Sequence, residues 1–192
     1  MNSILRRRRG MMGVKDKTLL YNLENYSFSM LNITIPNRFL VNDKSRTLMF
    51  DIDVSENPTT SDADGSTYRL FRCWGSGGTV NVAVGKMTRS ASTINILYPG
   101  ITTTTEAITG TTTATGRKRI LLTHSANSDS ITVYSKMGTG ALKTQTFTGT
   151  YAPSGNIVVG GGTTYSIKSG KVNRIALYDR IVSSNEINTF FA

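Results

Sequence analysis

Residues 160–192 read GGGTTYSIKSGKVNRIALYDRIVSSNEINTFFA, and this closing segment decides the fold. Gly160-Gly161-Gly162 breaks whatever precedes it. From Val172 to Tyr178 the residues alternate at period two. Val172, Arg174, Ala176 and Tyr178 share one face, and Asn173, Ile175 and Leu177 share the other. Neither face is wholly polar, as expected for a strand inside a sandwich. A short turn follows. Ser183 then precedes Glu186 at capping-box spacing, and Ile187, Phe190 and Phe191 recur at i, i+3 and i+4. One capped turn of helix can therefore bury three apolar groups and close the sandwich core.

Working outward, the clearest strand is Thr47 to Val54. Leu48, Phe50, Ile52 and Val54 fall on one face, and Asp51 and Asp53 on the other. Short strands are expected at Tyr26 to Met30 and Ile33 to Ile35, with turns at Pro36 and at Asn42-Asp43. Further strands are expected at Tyr68 to Trp74, Thr79 to Val84, Ser92 to Tyr98, Lys118 to His124, Ser130 to Lys136 and Asn156 to Gly160. Ser125 to Asp129 and Met137 to Gly140 read as turns. The threonine-rich stretch 101–116 reads as an exposed loop or edge hairpin.

Composition agrees with an all-β chain. Thr, Ser, Gly and Asn are abundant and Glu is scarce, which favours strands and turns. A chain of 192 residues fits one domain with a sizeable core. A single cysteine, Cys73, excludes an internal disulfide. No secretory signal is visible, and no stretch reaches the ~20 apolar residues of a membrane span. The net charge is +10, and residues 1–17 carry +5 of it. Arg6, Arg7, Arg8 and Arg9 therefore form a basic arm over residues 1–17, ahead of a domain spanning 18–192. Nothing aromatic interleaves with these arginines, so nucleic acid is not the expected partner. A partner-docking peptide and a solvated tail remain the two readings of the arm.

The run Arg174-Ile175-Ala176-Leu177-Tyr178-Asp179-Arg180, followed by Ser183-x-x-Glu186-Ile187, resembles the closing segment of concanavalin A-like lectin/glucanase (laminin G-like) jelly rolls. The unit from Arg117 to Phe147 is similar to a hairpin of the same family. The family's usual tryptophan before the first strand of that hairpin is replaced by Gly116-Arg117. The resemblance covers residues 25–192. It implies an all-β, two-sheet antiparallel β-sandwich with a short C-terminal helical turn and an N-terminal basic arm. The arginine- and methionine-rich start is also similar to the start of some phage virion proteins.

The family's hydrolase branch carries Glu-x-Asp-x-x-Glu. Here Asp51-Ile52-Asp53-Val54-Ser55-Glu56 replaces the first glutamate by aspartate, which shortens the would-be nucleophile by one methylene. A solvated outer face, or salt bridges to Arg or Lys, is the plainer reading of these carboxylates. His124 is the only histidine, which excludes a histidine-rich metal site, and it reads as structural. Cys73 beside Trp74 reads as a small core residue.

Many relatives bind calcium with loop oxygens, and Asp62 with Asp64 is the richest acidic loop, Asn127 with Asp129 the second. A plain turn competes with each, and no other cofactor is expected. Trp74, Tyr98, Tyr151 and Tyr165 lie near glycine or proline turns and are the candidate sugar platforms, with packing as the alternative for each. The expected function is a non-enzymatic structural or adhesion module of a virion, attached through its arm and binding host-surface glycans. Its expected partners are assembly proteins, including further copies of itself. A free carbohydrate-binding lectin is the alternative, cytoplasmic or secreted without a classical signal.

Overall fold

The computed structural model describes residues 16–41, 43–55, 68–75, 81–87, 91–96, 106–111, 115–148, 154–160, 167 and 169–192, with the backbone alone at 38, 68–75, 81–87, 91–96, 106–111 and 154. Among the described residues, twelve strands precede one helix. They are β1 (Leu19–Phe28), β2 (Asn32–Arg38), β3 (Arg46–Val54), β4 (Tyr68–Gly75), β5 (Asn81–Met87) and β6 (Ala91–Ile96). Then follow β7 (Glu106–Thr111), β8 (Gly116–Ser125), β9 (Ser130–Met137), β10 (Lys143–Thr148), β11 (Ser154–Gly160), β12 (Gly170–Tyr178) and α1 (Ser184–Phe191). The first sheet runs β1-β12-β3-β8-β9-β10 and the second β2-β11-β4-β5-β6-β7. Every pairing within them is antiparallel. The chain is thus an all-β, two-sheet antiparallel sandwich with a short C-terminal helix.

The main core lies between the sheets. Leu48, Phe50, Ile52 and Val54 of β3 point inward with Ile120 and Leu122 of β8, Ile131 and Val133 of β9 and Phe147 of β10. They meet Ile35, Ile157 and Val159 from the second sheet. The period-two reading of β3 therefore holds. A smaller second core lies on the outer face of the first sheet. There Met49, Leu121, Ala176 and Tyr178 pack with Val182 and Phe191, and Ile187 and Phe190 lean against them. The helix buries Phe191 and half-buries Ile187 and Phe190, but it covers the back of the first sheet rather than closing the space between the sheets. Covered on both sides, β3 is buried along its whole length except Asp53.

Three other expectations change. Val172 does not share a face with Arg174, because the register with β3 slips between Val172 and Arg174. This β-bulge turns Val172 into the main core with Ile175 and Leu177, while Arg174, Ala176 and Tyr178 face outward. Pro36 is not a turn; it lies within β2, an edge strand, where a missing N–H is tolerated. Its neighbourhood carries the register shift between β11 and β2. Strand β10 escaped the sequence pattern, because five of its six residues are polar and only Phe147 is buried. The threonine-rich stretch does supply an edge strand, β7.

At Gly160 the backbone φ is +81°, and a Cβ would stand 1.7 Å from the Leu31 carbonyl oxygen. Only glycine fits there, so the break read in the sequence is a close backbone approach. Among the described residues no helix is long and apolar enough to cross a membrane.

Candidate functional site

Between α1 and the outer face of the first sheet lies a cleft of about 410 Å³. Asn185, Glu186, Thr189 and Phe190 form its helical wall, and Met49, Asp51, Arg117, Arg174 and Tyr178 its floor and opposite wall. Tyr178 and Phe190 supply aromatic surface, and paired charges supply hydrogen bonding.

The floor charges follow from strand register. Glu24 on β1 stands opposite Arg174, Arg174 opposite Asp51, Asp51 opposite Arg119, and Arg119 opposite Lys136. Five adjacent strands thus carry one cross-strand row of charges, where opposite signs stabilise and like signs oppose. Asp51 sits at its centre and is buried. It accepts bonds from Arg117 Nε at 2.8 Å, Arg117 Nη2 at 2.6 Å and Asn173 Nδ2 at 3.2 Å. The reading of Asp51 as a salt-bridged carboxylate holds, whereas a solvated position does not. The bond to Asp51 raises the Arg117 guanidinium pKa further above its ordinary value.

Arg119 is buried, and burial, with Arg117 as a like-charged neighbour, lowers its pKa. Its Nη1 donates to the Phe190 carbonyl at 3.2 Å, and Lys136 Nζ donates to the Phe191 carbonyl at 3.0 Å. These two cations meet carbonyls that a helix end leaves without intrahelical partners, where positive charge also complements the helix dipole. Helix α1 has no basic residue of its own in its last turn. The sheet provides what the helix lacks.

Arg174 spans the other side of the cleft. Its Nη2 donates to the Tyr178 hydroxyl at 2.5 Å, and its Nε is 3.6 Å from Glu24, an ion pair too long for a hydrogen bond. The N-terminal end of α1 is fixed by a complete capping box between Ser183 and Glu186. Arg180 forks onto both Glu186 oxygens at 2.6 and 2.9 Å. That fork, aided by the Ser183 backbone, holds the Glu186 carboxyl at about 2. The Arg180 guanidinium lies 5.1 Å from the Tyr178 ring centroid.

His124 is buried against Phe39, and its Nδ1 lies 3.2 Å from the Lys44 carbonyl. Burial lowers its pKa, which favours the neutral ring with Nδ1 as the donor. Lys118 reaches in among the core residues and donates to the Thr115 carbonyl at 2.9 Å, and burial lowers its pKa as well.

Arg6, Arg7, Arg8 and Arg9 lie outside the described residues, as do Asp62, Asp64, Tyr98, Tyr151, Tyr165 and Glu56. Cys73 and Trp74 lie on β4, where the backbone alone is described. Among the described residues no three His, Cys, Asp or Glu side chains gather where they could hold a metal ion. Of the cleft residues only Asp51 was weighed as a site residue in the sequence, as a hydrolase nucleophile, and the others were not singled out. Their one advance signal was the charge on the polar faces of two strands, Asp51 and Asp53 against Arg117 and Arg119.

No protein-family model matches the chain. No curated protein matches its sequence. Solved structures do share its fold. The CBM40 domain of the Ruminococcus gnavus IT-sialidase, bound to α2,3-sialyllactose, is similar over 89% of this chain and 97% of that one, with TM-score 0.56 and 11% identity. The leech intramolecular trans-sialidase matches 89% of this chain at TM-score 0.58 and 13% identity. This chain spans only 27% of that enzyme. The binding domain of botulinum neurotoxin serotype G matches 88% of this chain and 42% of that one, at TM-score 0.52 and 14% identity. The chain shares the β-sandwich fold of these domains.

Proposed function

We propose that the protein is a non-catalytic glycan-binding module whose ligand occupies the cleft beneath α1. The observation that carries this reading is the cleft's make-up: two aromatic residues, Tyr178 and Phe190, lining it together with the Arg117–Asp51 pair, Arg174 and Glu186. Aromatic rings offer apolar surface to a sugar face, and oriented ion pairs offer fixed donors and acceptors to hydroxyls. The fold shared with a sialyllactose-bound domain supports the same reading. A hydrolytic role is disfavoured because Asp51 is committed to three hydrogen bonds from Arg117 and Asn173. A carboxylate so engaged is a poor nucleophile.

The finer part of the proposal is an accessory adhesion role in a virion or comparable assembly, with Arg6–Arg9 as the attachment. It rests on the charge concentrated in residues 1–17. A glycan array with sialylated and neutral sugars, run with and without calcium, tests the binding reading. Binding lost in Asn185→Ala/Thr189→Ala, two exposed residues of the helical wall, places the ligand in the cleft. No binding to any glycan rejects the reading. Deleting residues 1–15 should abolish joining to the assembly without unfolding the domain, and unimpaired joining rejects the attachment role.

A further inference from the structure

Arg180 is bonded through all of its donors. Nε donates to Thr18 Oγ1 at 2.9 Å, and Nη1 to Glu186 Oε2 at 2.9 Å and the Ile181 carbonyl at 3.5 Å. Nη2 donates to Asp16 Oδ2 at 3.0 Å and Glu186 Oε1 at 2.6 Å. An arginine has five N–H groups, and these bonds engage each of its three nitrogens. The acceptors come from three places: the segment entering β1, the turn after β12, and the first turn of α1. Asp179 N–H adds a backbone bond to the Thr18 carbonyl at 2.7 Å. One guanidinium therefore joins the two ends of the described chain.

This hub touches the cleft twice, because Glu186 lines it and the ring of Tyr178, which also lines it, lies beneath Arg180. The helical wall has few other anchors. Phe191 is the only fully buried residue of α1. Its C-terminal end is held by Arg119 and Lys136, and its N-terminal end by the capping box and Arg180. On the other side of the hub, Asp16 follows directly on the basic stretch that includes Arg6–Arg9.

We propose that Arg180 is a latch through which the N-terminal segment regulates the cleft: α1 is the cleft's lid, and pulling Asp16 and Thr18 off Arg180 loosens it. A guanidinium held by Asp16 and Thr18 is pinned where Glu186 needs it. Freed from them it samples other rotamers, and the bidentate grip on Glu186 weakens. Such coupling is reciprocal, so loosening α1 must also loosen the segment at Asp16. This regulation rests on the cleft being the binding site, but the latch itself can be tested without any ligand.

The test is hydrogen exchange on the full chain carrying Asp16→Asn/Thr18→Val, which removes the Thr18 acceptor and the charge and one oxygen of Asp16 and touches no cleft residue. The expected result is α1 amide exchange about three- to tenfold faster, with the β3 and β8 amides unchanged. Unchanged exchange in α1 overturns the proposal. The reciprocal variant Glu186→Gln must speed exchange at Leu19, whose amide bonds to the Asp16 carbonyl, and a silent Leu19 also overturns it. The same Asp16→Asn/Thr18→Val chain is then titrated with 3′-sialyllactose, or with the best array hit. Weaker binding supports the regulation, and unchanged binding beside faster α1 exchange overturns it. Faster exchange with no glycan bound by either chain supports the latch and rejects the binding reading.

Discussion

Replacing Asp51 with Asn should destabilise the protein by about 2–3 kcal/mol. The carboxylate accepts three hydrogen bonds, two of them from Arg117. An asparagine keeps one acceptor oxygen and turns an NH₂ group toward the Arg117 donors. Bonds to charged groups contribute about 1.5–3 kcal/mol each. Arg117 is 48% exposed, however, so water replaces much of what it loses, and this part falls to about 1 kcal/mol. The larger part comes from Arg119, which is 5% exposed. Its charge is opposed by Arg117 and favoured by Asp51, so losing Asp51 leaves two cations facing each other. Breaking a fully buried pair costs about 3–5 kcal/mol, and the partial exposure here sets a lower value of about 1–2 kcal/mol.

For a chain of this size the sum corresponds to a fall in Tm of about 4–12 °C. Calorimetry and urea denaturation measure it directly, with Asp53→Asn, at the one exposed residue of β3, as the control. Asp51→Asn/Arg117→Met should recover part of the loss, because Arg119 is then rid of its like-charged neighbour. Stability of Asp51→Asn within about 0.5 kcal/mol of the parent would refute the reasoning, since a surface substitution gives no more than that.

Other substitutions test other parts of the structure. Gly160→Ala sets a Cβ against the Leu31 carbonyl at a φ of +81°, and should cost at least about 3 kcal/mol in urea denaturation. Thr47→Val removes a hydroxyl that donates to the Arg180 carbonyl and accepts from the Val182 N–H. The Val182 donor is left buried without a partner, so a loss of about 1–3 kcal/mol in thermal unfolding is expected. The Glu186 carboxyl is held at about 2 by Arg180, and that of Asp16 at about 2 mainly by Thr18. Both lie below their unfolded values of about 4.3 and 3.9, so the stability they contribute is present above about pH 5 and lost as pH falls toward 2. With its side chain 39% exposed, Glu186 accounts for only about 1 kcal/mol of this. The urea midpoint of Glu186→Gln should therefore fall less steeply than the parent's over that range.

The fold was legible wherever one residue decided one face. Leu48, Phe50, Ile52 and Val54 alternate without interruption, and all four enter the main core. The capping box at Ser183 and Glu186 is a short-range signal, and it forms as spaced. The pattern failed at Val172, because a bulge inserts one residue and every assignment before it changes face. Nothing local marks that insertion, since Lys171, Val172 and Asn173 suit a plain strand equally well. It failed again at β10, where Lys143, Thr144, Gln145, Thr146 and Thr148 surround a single buried Phe147. That strand is held by pairing with β9, a contact outside its own sequence.

The cleft was illegible for a related reason. Asp51 and Arg117 are 66 positions apart, and Arg180 and Asp16 are 164 apart. Each member alone reads as an ordinary charge on the solvent side of a strand or turn. Only the register of β12, β3, β8 and β9 places Arg174, Asp51, Arg119 and Lys136 in one row. Only the helix laid over that row makes it a wall rather than a surface. The row in turn explains why a helix of eight residues stays on the sheet with one fully buried side chain. Arg119 and Lys136 hold its last carbonyls, and Arg180 holds its first turn. The charges therefore do two jobs at once: they anchor α1, and in anchoring it they leave Arg117, Arg174 and Tyr178 facing a cleft that α1 walls on one side.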